Sequence, residues 1–179
     1  MVYLFLAQGF EEIEAVVPID ILRRAGAKVQ TVGVGGRAIR GSHNIEITAD
    51  IMLQDISDNA DMLILPGGLP GADNLQQSSG VINALNNCNN KGKYIAAICA
   101  APKILGEAGL LQGKTATCFP GFEKHLHGAN VTSNAVEIDG NIITAKGAGA
   151  AYEFAFALAG ILFGSDKATS LKEAMHYNG

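Results

Sequence analysis

The stretch that decides the fold is Tyr94-Ile95-Ala96-Ala97-Ile98-Cys99-Ala100-Ala101-Pro102. Its first half is an apolar run, which is typical of a strand buried on both faces of a parallel sheet. Cys99 follows between alanines, and Pro102 then occupies the first turn of a predicted helix. Small residues suit a tight strand-to-helix turn, because bulky side chains would clash there. The stretch therefore predicts a nucleophile elbow, with Cys99 above the carboxyl edge of a sheet.

Cys99 has two possible interpretations on this segment alone. The N-terminus of the following helix would favour the thiolate and make the residue reactive. Alternatively, Cys99 is an inert core cysteine after an alanine-rich strand. Cys88 lies on the apolar stripe of an amphipathic helix and Cys118 in the strand-like segment 115–118, so we expect both of these thiols to serve packing.

The rest of the chain alternates between strand and helix patterns in the same way. Such alternation predicts a single α/β domain, residues 1–179, around a mostly parallel sheet. Pro18 is expected to kink or divide the first helix, and Ser165 to cap the last one. The expected strands are 2–7, 29–34, 61–65 and 94–98, the helices 11–25, 81–90, 102–108, 151–163 and 166–175, and the hairpins 37–47 around Gly41-Ser42 and 136–143 around Asp139-Gly140.

Composition and charge exclude several classes of protein. With 48% hydrophobic and 17% charged residues the chain is not disordered, and a net charge of -4 without any basic cluster beyond Arg23-Arg24 argues against nucleic-acid binding. The longest strongly apolar run, residues 154–163, is too short to span a bilayer. Three cysteines and no recognisable signal peptide indicate free thiols and a cytoplasmic location.

Two further features are predicted to reach the edge where Cys99 lies. Glu14 follows the first strand within about two helical turns, and parallel strands bring such junctions to one edge. A buried, protonated Glu14 could donate a hydrogen bond to the thiolate; the alternative is an exposed acid like its neighbours Glu11 and Glu12. The turn Gly67-Gly68 could offer backbone N–H groups that, with that of Ala100, stabilise an oxyanion. The alternative for this turn is a purely structural role.

The string Glu123-x-His125-x-His127 is the one pattern that suggests a metal. Alternate residues of an extended segment point the same way and could ligate zinc. No second cluster completes such a site, so a loop histidine or a base near Cys99 is the favoured interpretation. We expect neither a metal nor another cofactor.

Three segments taken together resemble the ThiJ/PfpI superfamily. They are residues 9–14 with 18–20 and 23–26, then Leu65-Pro66-Gly67-Gly68, then residues 96–102. Within the superfamily the chain is similar to the branch of bacterial YajL and the Parkinson-disease-associated deglycase and chaperone. The likeness extends through 146–149 and 153–155 and covers nearly the whole chain.

The resemblance implies a flavodoxin-like three-layer α/β sandwich that forms a homodimer. It also implies that Cys99 is the reactive, readily oxidised cysteine, that Glu14 is its protonated partner, and that Gly67, Gly68 and Ala100 line the pocket. Arg24 matches one member of a basic pocket near the dimer interface. The other member, an arginine in relatives, corresponds to His43 here, which weakens the expected anion pocket.

The active-site histidine of the relatives has no direct match in this sequence. The protease-like branch has a histidine directly after the cysteine, where this chain has Ala100, so that branch's catalytic dyad is missing. The nearer branch supplies a histidine at a position that falls on Gly128 here. Its neighbour His127 is therefore the candidate base, with His125 as the alternative.

The resemblance implies an enzyme that acts on α-oxoaldehydes such as methylglyoxal, or on their adducts with proteins or nucleotides. This is a glyoxalase or deglycase activity. The alternative is a redox-sensing stress chaperone that operates through oxidation of Cys99. The expected partners are a small carbonyl compound or a glycated protein or nucleotide, and a second copy of the chain.

Overall fold

The structure is a computed structural model that describes residues 1–178. Its regular elements alternate between strand and helix along most of the chain. In order they are β1 (Val2–Leu6), α1 (Glu12–Ala25), β2 (Val29–Gly33), β3 (Ala38–Arg40), β4 (Glu46–Thr48), β5 (Ile51–Met52), β6 (Met62–Leu65), α2 (Gly71–Gln77), α3 (Ser79–Asn90), β7 (Tyr94–Ile98), α4 (Pro102–Glu107), β8 (Thr115–Ala116), β9 (Asn130–Val131), β10 (Val136–Asp139), β11 (Ile142–Ala145), α5 (Ala151–Phe163) and α6 (Ser165–Ala174).

Seven of these strands form the central sheet, in the order β10-β11-β7-β6-β1-β2-β5. Every neighbouring pair is parallel except β10 with β11. The connections leave β1 in opposite directions, toward β2 on one side and β6 on the other, and ligands bind at such a switch point in open α/β sheets. The predicted flavodoxin-like α/β fold is confirmed, including the small hairpin β3–β4 outside the sheet.

Helices cover both faces of the sheet, because successive side chains of a strand point to opposite faces. In β1, Val2, Leu4 and Leu6 face the core shared with α1, α5 and α6. Tyr3 and Phe5 face the second core, which α3 and α4 complete. The outcome is the expected three-layer sandwich. Across residues 1–178, helices of the length and apolar character that a bilayer crossing requires are absent.

Several local predictions from the sequence differ from the structure. Helix α1 runs undivided through Pro18, which is buried within it, since the proline removes only the backbone bond to the carbonyl of Glu14. Ser165 is the first residue of α6 and not its cap; Gly164 precedes the helix. Helix α2 was not predicted, because its sequence contains only two apolar residues at helical spacing, Ala72 and Leu75.

Candidate active site

Cys99 lies at the carboxyl edge of the sheet, directly after β7. Its backbone φ is +66°, a left-handed conformation that costs a non-glycine residue about 1 to 2 kcal/mol. Hydrogen bonds hold this strained turn on both sides: the Cys99 N–H donates to the Ala145 carbonyl at 2.8 Å, and the Phe119 N–H donates to the Cys99 carbonyl at 2.9 Å. The strand, the left-handed turn and the following helix have the arrangement that the sequence predicts, with a half-buried thiol at the tip of the turn.

Glu14 reaches the same point from the first turn of α1. Its side chain is fully buried, so the alternative of an exposed surface acid is wrong. The Gly67 N–H donates to Oε2 of the carboxyl at 2.8 Å. The other oxygen, Oε1, is buried and has no hydrogen-bond partner within residues 1–178. A neutral carboxyl explains this arrangement, since Oε2 then accepts from Gly67 while a protonated Oε1 leaves no buried negative charge without a partner.

Gly67 fits between these two groups because it has no side chain. A Cβ at this position would lie 2.7 Å from Oε2 of Glu14 and 2.8 Å from Cβ of Cys99. Both distances are far below van der Waals contact. Glycine at position 67 is therefore a steric requirement for the approach of Glu14 to Cys99.

Burial changes the ionisation of both groups. It raises the pKa of the Glu14 carboxyl from its ordinary 4.5 to about 7, against the opposing effect of hydrogen bonds with Cys99 and Gly67. Burial, together with the negative charge that Glu14 carries once it is ionised, raises the pKa of the Cys99 thiol to about 12, so the second proton of the pair leaves only in that range. The pair therefore holds one negative charge, shared between carboxyl and thiol, over a wide pH range above neutrality.

Two backbone N–H groups face the sulfur and favour its ionised form, those of Gly68 and Ala100. Their predicted role, stabilising an oxyanion of the substrate, stays a prediction. The prediction for Gly67 needs correction, because its N–H already donates to Glu14 and is not free for an oxyanion. Gly67 positions the carboxyl, and Gly68 and Ala100 remain the candidate anion-stabilising donors.

The structure does not bring His127 to Cys99. The Nε2 of His127 lies 3.3 Å from the Glu107 carboxylate, and Nδ1 of His125 lies 3.1 Å from the same oxygen. Glu107 is the last residue of α4, whereas Cys99 precedes the first turn of that helix. The two histidines therefore belong to an ion-pair group at the far end of α4. We assign neither His127 nor His125 a part in the reaction.

Arg24 and His43 do not form an anion pocket within one chain. The Arg24 guanidinium pairs with Asp20 at 2.7 Å, near the end of α1. The His43 ring lies 2.9 Å from Glu12, the first residue of α1. Twelve residues of helix separate Glu12 from Arg24, or about 18 Å. In the described chain His43 anchors the β3–β4 hairpin to α1.

Residues that could ligate a metal come together only around His43 in the described part of the chain. Ligand atoms of Glu11, Glu12 and His43 lie within 4.8 Å of one another. The buried Glu12 carboxylate already accepts hydrogen bonds from the His43 backbone and ring. Hydrogen bonds between the buried Glu12 carboxylate and the exposed His43 therefore account for the group without a cation.

A groove beside the site was not predicted. It has a volume of about 470 Å³ and lies between Phe119, Pro120 and the segment 146–150, with Glu153 at its rim. The Ala148 amide reaches the Glu14 carboxyl, so the groove opens next to the pair. Residues 146–149 stood out in the resemblance, whereas nothing in the sequence indicated Phe119. A larger cavity, about 530 Å³ between α3 and residues 53–60, does not include these residues.

Comparison with known proteins agrees with this geometry. Residues 1–160 match the DJ-1/PfpI family. Protein dj-1beta of Drosophila melanogaster is 40% identical over 174 residues, covering 95% of this chain and 93% of that protein. The glutathione-independent glyoxalase DJR-1.2 of Caenorhabditis elegans is 31% identical over 163 residues, covering 90% of this chain and 87% of the relative.

Among solved structures, Toxoplasma gondii DJ-1 in its oxidized form superposes with a TM-score of 0.95 at 34% identity. The superposition covers 99% of this chain and 98% of the other. The motifs around Glu14, Gly67 and Cys99 therefore indicated the correct superfamily. The chain belongs to the DJ-1/PfpI family.

Proposed function

We propose that this protein is a cysteine-dependent enzyme of the glyoxalase type, acting on α-oxoaldehydes such as methylglyoxal. The observation that carries the proposal is the buried, unpartnered Oε1 of Glu14 beside the strained Cys99. A nucleophile and a proton-transferring carboxyl next to two anion-stabilising amides are the parts that this chemistry needs. The printed name of the Caenorhabditis elegans relative adds support.

The donors around the pair favour placing the negative charge on sulfur. A Cys99 thiolate would accept hydrogen bonds from the N–H groups of Gly68 and Ala100 and from the O–H of a neutral Glu14. A Glu14 carboxylate would accept hydrogen bonds from the N–H groups of Gly67 and Ala148 and from the Cys99 S–H, which is a weaker donor than a carboxyl O–H. Hydrogen bonds to the charged form stabilise it. The thiolate with a protonated carboxyl is therefore the reactive state that we propose.

The reaction begins with attack of the Cys99 sulfur on the aldehyde carbon. The carbonyl π bond opens, and the resulting oxyanion takes the proton of Glu14 to give a hemithioacetal, near the amides of Gly68 and Ala100. The Glu14 carboxylate then removes the proton from that carbon, giving an enediolate on the two substrate carbons. Returning the proton to the neighbouring carbon, while the hydroxyl proton passes from the first oxygen to the second, leaves a thioester of the 2-hydroxy acid, still attached to Cys99.

Water completes the cycle by attacking the thioester carbon. The carbon–sulfur bond breaks, the hydroxy acid leaves, and the proton balance of thiolate and carboxyl is restored. Methylglyoxal and water together become lactate with no external oxidant or reductant. Glu14 moves the proton in each step, so the mechanism needs no histidine, in agreement with the position of His127.

The test is production of lactate from methylglyoxal by the purified protein. We expect enantiomeric excess in the lactate from wild type, because one side chain returns the proton to one face. The variant Cys99→Ser should lose the activity by about three orders of magnitude or more, as removal of a nucleophile does. Cys118→Ser is the matched control and should keep it. Equally slow, racemic lactate from wild type and Cys99→Ser would refute the proposal.

Adducts on proteins or nucleotides are the second substrate class for the same site. An enzyme that consumes only free aldehyde cannot clear an adduct faster than the adduct releases aldehyde on its own. Clearance of a preformed adduct is therefore measured at increasing enzyme concentration. We expect a plateau at the spontaneous release rate; a rate that keeps rising with enzyme would assign deglycase activity instead.

A redox-sensing chaperone is the alternative function. It is favoured by the half-buried position of Cys99 and by the neutral Glu14, which could donate a hydrogen bond to a sulfinate oxygen. In this function two molecules of hydrogen peroxide oxidise the thiolate to the sulfinate and leave two waters. Intact-mass analysis after mild peroxide tests it: a two-oxygen adduct confined to Cys99, with altered protection of client proteins, supports it. Oxidation that falls first on Cys88 or Cys118 opposes it.

A second copy of the chain is the partner that we propose. Ile13 and Val16 lie on one face of α1 and are 49% and 46% exposed. Ile45 is 56% exposed, and its N–H is 3.4 Å from Glu12 at the start of the same helix. Sedimentation should show a dimer for wild type and a monomer for Val16→Lys. A monomeric wild type at micromolar concentration would refute the dimer.

A further inference from the structure

Glu11 occupies the junction between the two segments that supply the active-site groups. Its carboxylate Oε2 accepts the backbone N–H of Glu14 at 2.8 Å. Its own N–H donates to the carbonyl of Gly67 at 3.0 Å. Gly67 in turn donates its N–H to Glu14. Three hydrogen bonds therefore join Glu11, Glu14 and Gly67 in a closed ring beside Cys99.

The choice of residue at this position is itself informative. Glu11 is the N-cap of α1, where serine, threonine, aspartate and asparagine are the preferred residues. Its side chain is only 14% exposed, so its charge is poorly screened by water. A glutamate here caps the helix and also places a negative charge within range of the Glu14 carboxyl.

The charges around Glu11 come from two elements. On α1, Glu11 raises the pKa of Glu14 through like-charge repulsion, in addition to the larger effect of burial. From the β3–β4 hairpin, Nδ1 of His43 lies 3.8 Å from Oε1 of Glu11. His43 is held chiefly by Glu12, whose hydrogen bond raises the pKa of the imidazole. Glu11 therefore acts on Glu14, whereas Glu12 acts on the hairpin.

We propose that Glu11 is a positioning residue for the Glu14–Cys99 pair: it fixes the backbone of Glu14 and the Gly67 turn, and its negative charge keeps the proton on Glu14, so that the shared charge stays on sulfur. A carboxylate at position 11 disfavours a second carboxylate at position 14. The negative charge of the pair therefore resides on the Cys99 sulfur. The inference rests on the pair in the proposed function, although it does not depend on the substrate.

The matched variants Glu11→Asp and Glu11→Ser test the proposal, because both residues are good caps and only one is charged. The measurement is the rate of Cys99 alkylation by iodoacetamide from pH 5 to pH 10. At pH 7 we expect Glu11→Asp to react at nearly the wild-type rate. We expect Glu11→Ser to be roughly two- to fivefold slower, the effect of losing one partly screened like charge. Both variants should unfold at the wild-type temperature.

Three outcomes would overturn the proposal. Equal rates for Glu11→Ser and wild type would reduce Glu11 to a helix cap. Faster alkylation of Glu11→Ser would mean that the charge acts mainly on the sulfur, and equal slowing of both variants would assign the effect to side-chain length. Glu107→Gln is the control carboxylate on α4 and should leave the profile unchanged. Alkylation uses no aldehyde, so this test succeeds or fails independently of the lactate assay.

Discussion

Cys88 and Cys99 are both free cysteines, but they lie in two different environments. Cys88 lies on α3, is 5% exposed, and points its thiol at the Tyr94 carbonyl at 3.4 Å. Burial raises its pKa to about 11. Cys99 lies at a left-handed turn with a buried carboxyl and two backbone amides around the sulfur. Burial opposes ionisation of both thiols, but only Cys99 has donors that can hold a negative charge.

The difference shows that the turn and the carboxyl, and not the thiol alone, make a nucleophile. A regular helix such as α3 uses its backbone N–H groups internally and offers none to the Cys88 side chain. The turn after β7 frees the amide of Ala100, and the turn after β6 frees that of Gly68.

The largest expected effect is on stability. The unfolded chain loses the proton of Glu14 near pH 4.5, whereas the folded pair keeps its proton up to about pH 7. Between these pH values the native state binds more protons, so the free energy of unfolding falls as the pH rises, by about 3 kcal/mol in total. The difference between wild type and Glu14→Gln in urea melts at pH 4.5 and pH 8 isolates this contribution. A pH-independent difference would contradict the raised pKa.

The next effect separates the two cysteines directly. At pH 7.5 we expect iodoacetamide to modify Cys99 about 50-fold faster than Cys88, since the thiolate fraction differs more than nucleophilicity does. Cys118, which is 4% exposed with a pKa raised by burial to about 11, should resemble Cys88. Peptide mapping by mass spectrometry gives all three rates in one sample. Comparable alkylation rates for Cys99 and the two buried cysteines would show that the turn and the carboxyl do not activate Cys99.

Removing the carboxyl should make Cys99 more like Cys88. The charge-assisted hydrogen bond from Glu14 is worth about 1.5 to 3 kcal/mol, so Glu14→Leu should slow alkylation near neutral pH by about tenfold. Glutamine can still donate to the sulfur, and Glu14→Gln should therefore have a smaller effect. Faster alkylation of Glu14→Leu would mean that the native carboxyl is ionised beside the sulfur.

The smallest effect is expected for His127, which the sequence suggested as a base. The structure places its ring against Glu107, so His127→Gln should change neither Cys99 alkylation nor methylglyoxal turnover by more than about twofold. His125→Gln is the companion variant. A large loss of methylglyoxal turnover in His127→Gln, but not in His125→Gln, would show that His127 takes part in the reaction.

The sequence was a good guide to features with a local or periodic cause. Apolar runs located the long strands, and the segment 96–102 located the elbow, because strand burial and turn sterics act on neighbouring residues. Short elements such as β5 and α2 were missed, since two to seven residues carry too little periodicity. The cytoplasmic location stays a prediction from the sequence.

Contacts between distant segments explain the remaining differences. Gly67 was predicted to face an oxyanion, but only the folded chain shows that Glu14 takes its N–H, 53 residues apart in sequence. The resemblance assigned Arg24 and His43 to a basic pocket near a dimer interface; within one chain they lie at opposite ends of α1 and are paired with Asp20 and Glu12. Partner choice among charged side chains depends on tertiary packing, which neither motif nor spacing encodes.

The central claim is that the single negative charge of the Glu14–Cys99 pair resides on sulfur. The most direct test is the pH dependence of Cys99 alkylation in the wild-type protein, followed at that residue by mass spectrometry. If the first proton leaves the sulfur, the midpoint falls at or below about pH 7, where the pair first ionises. If the carboxyl ionises first, Cys99 remains a thiol at neutral pH. A midpoint above 9, the ordinary thiol value, would then contradict the account.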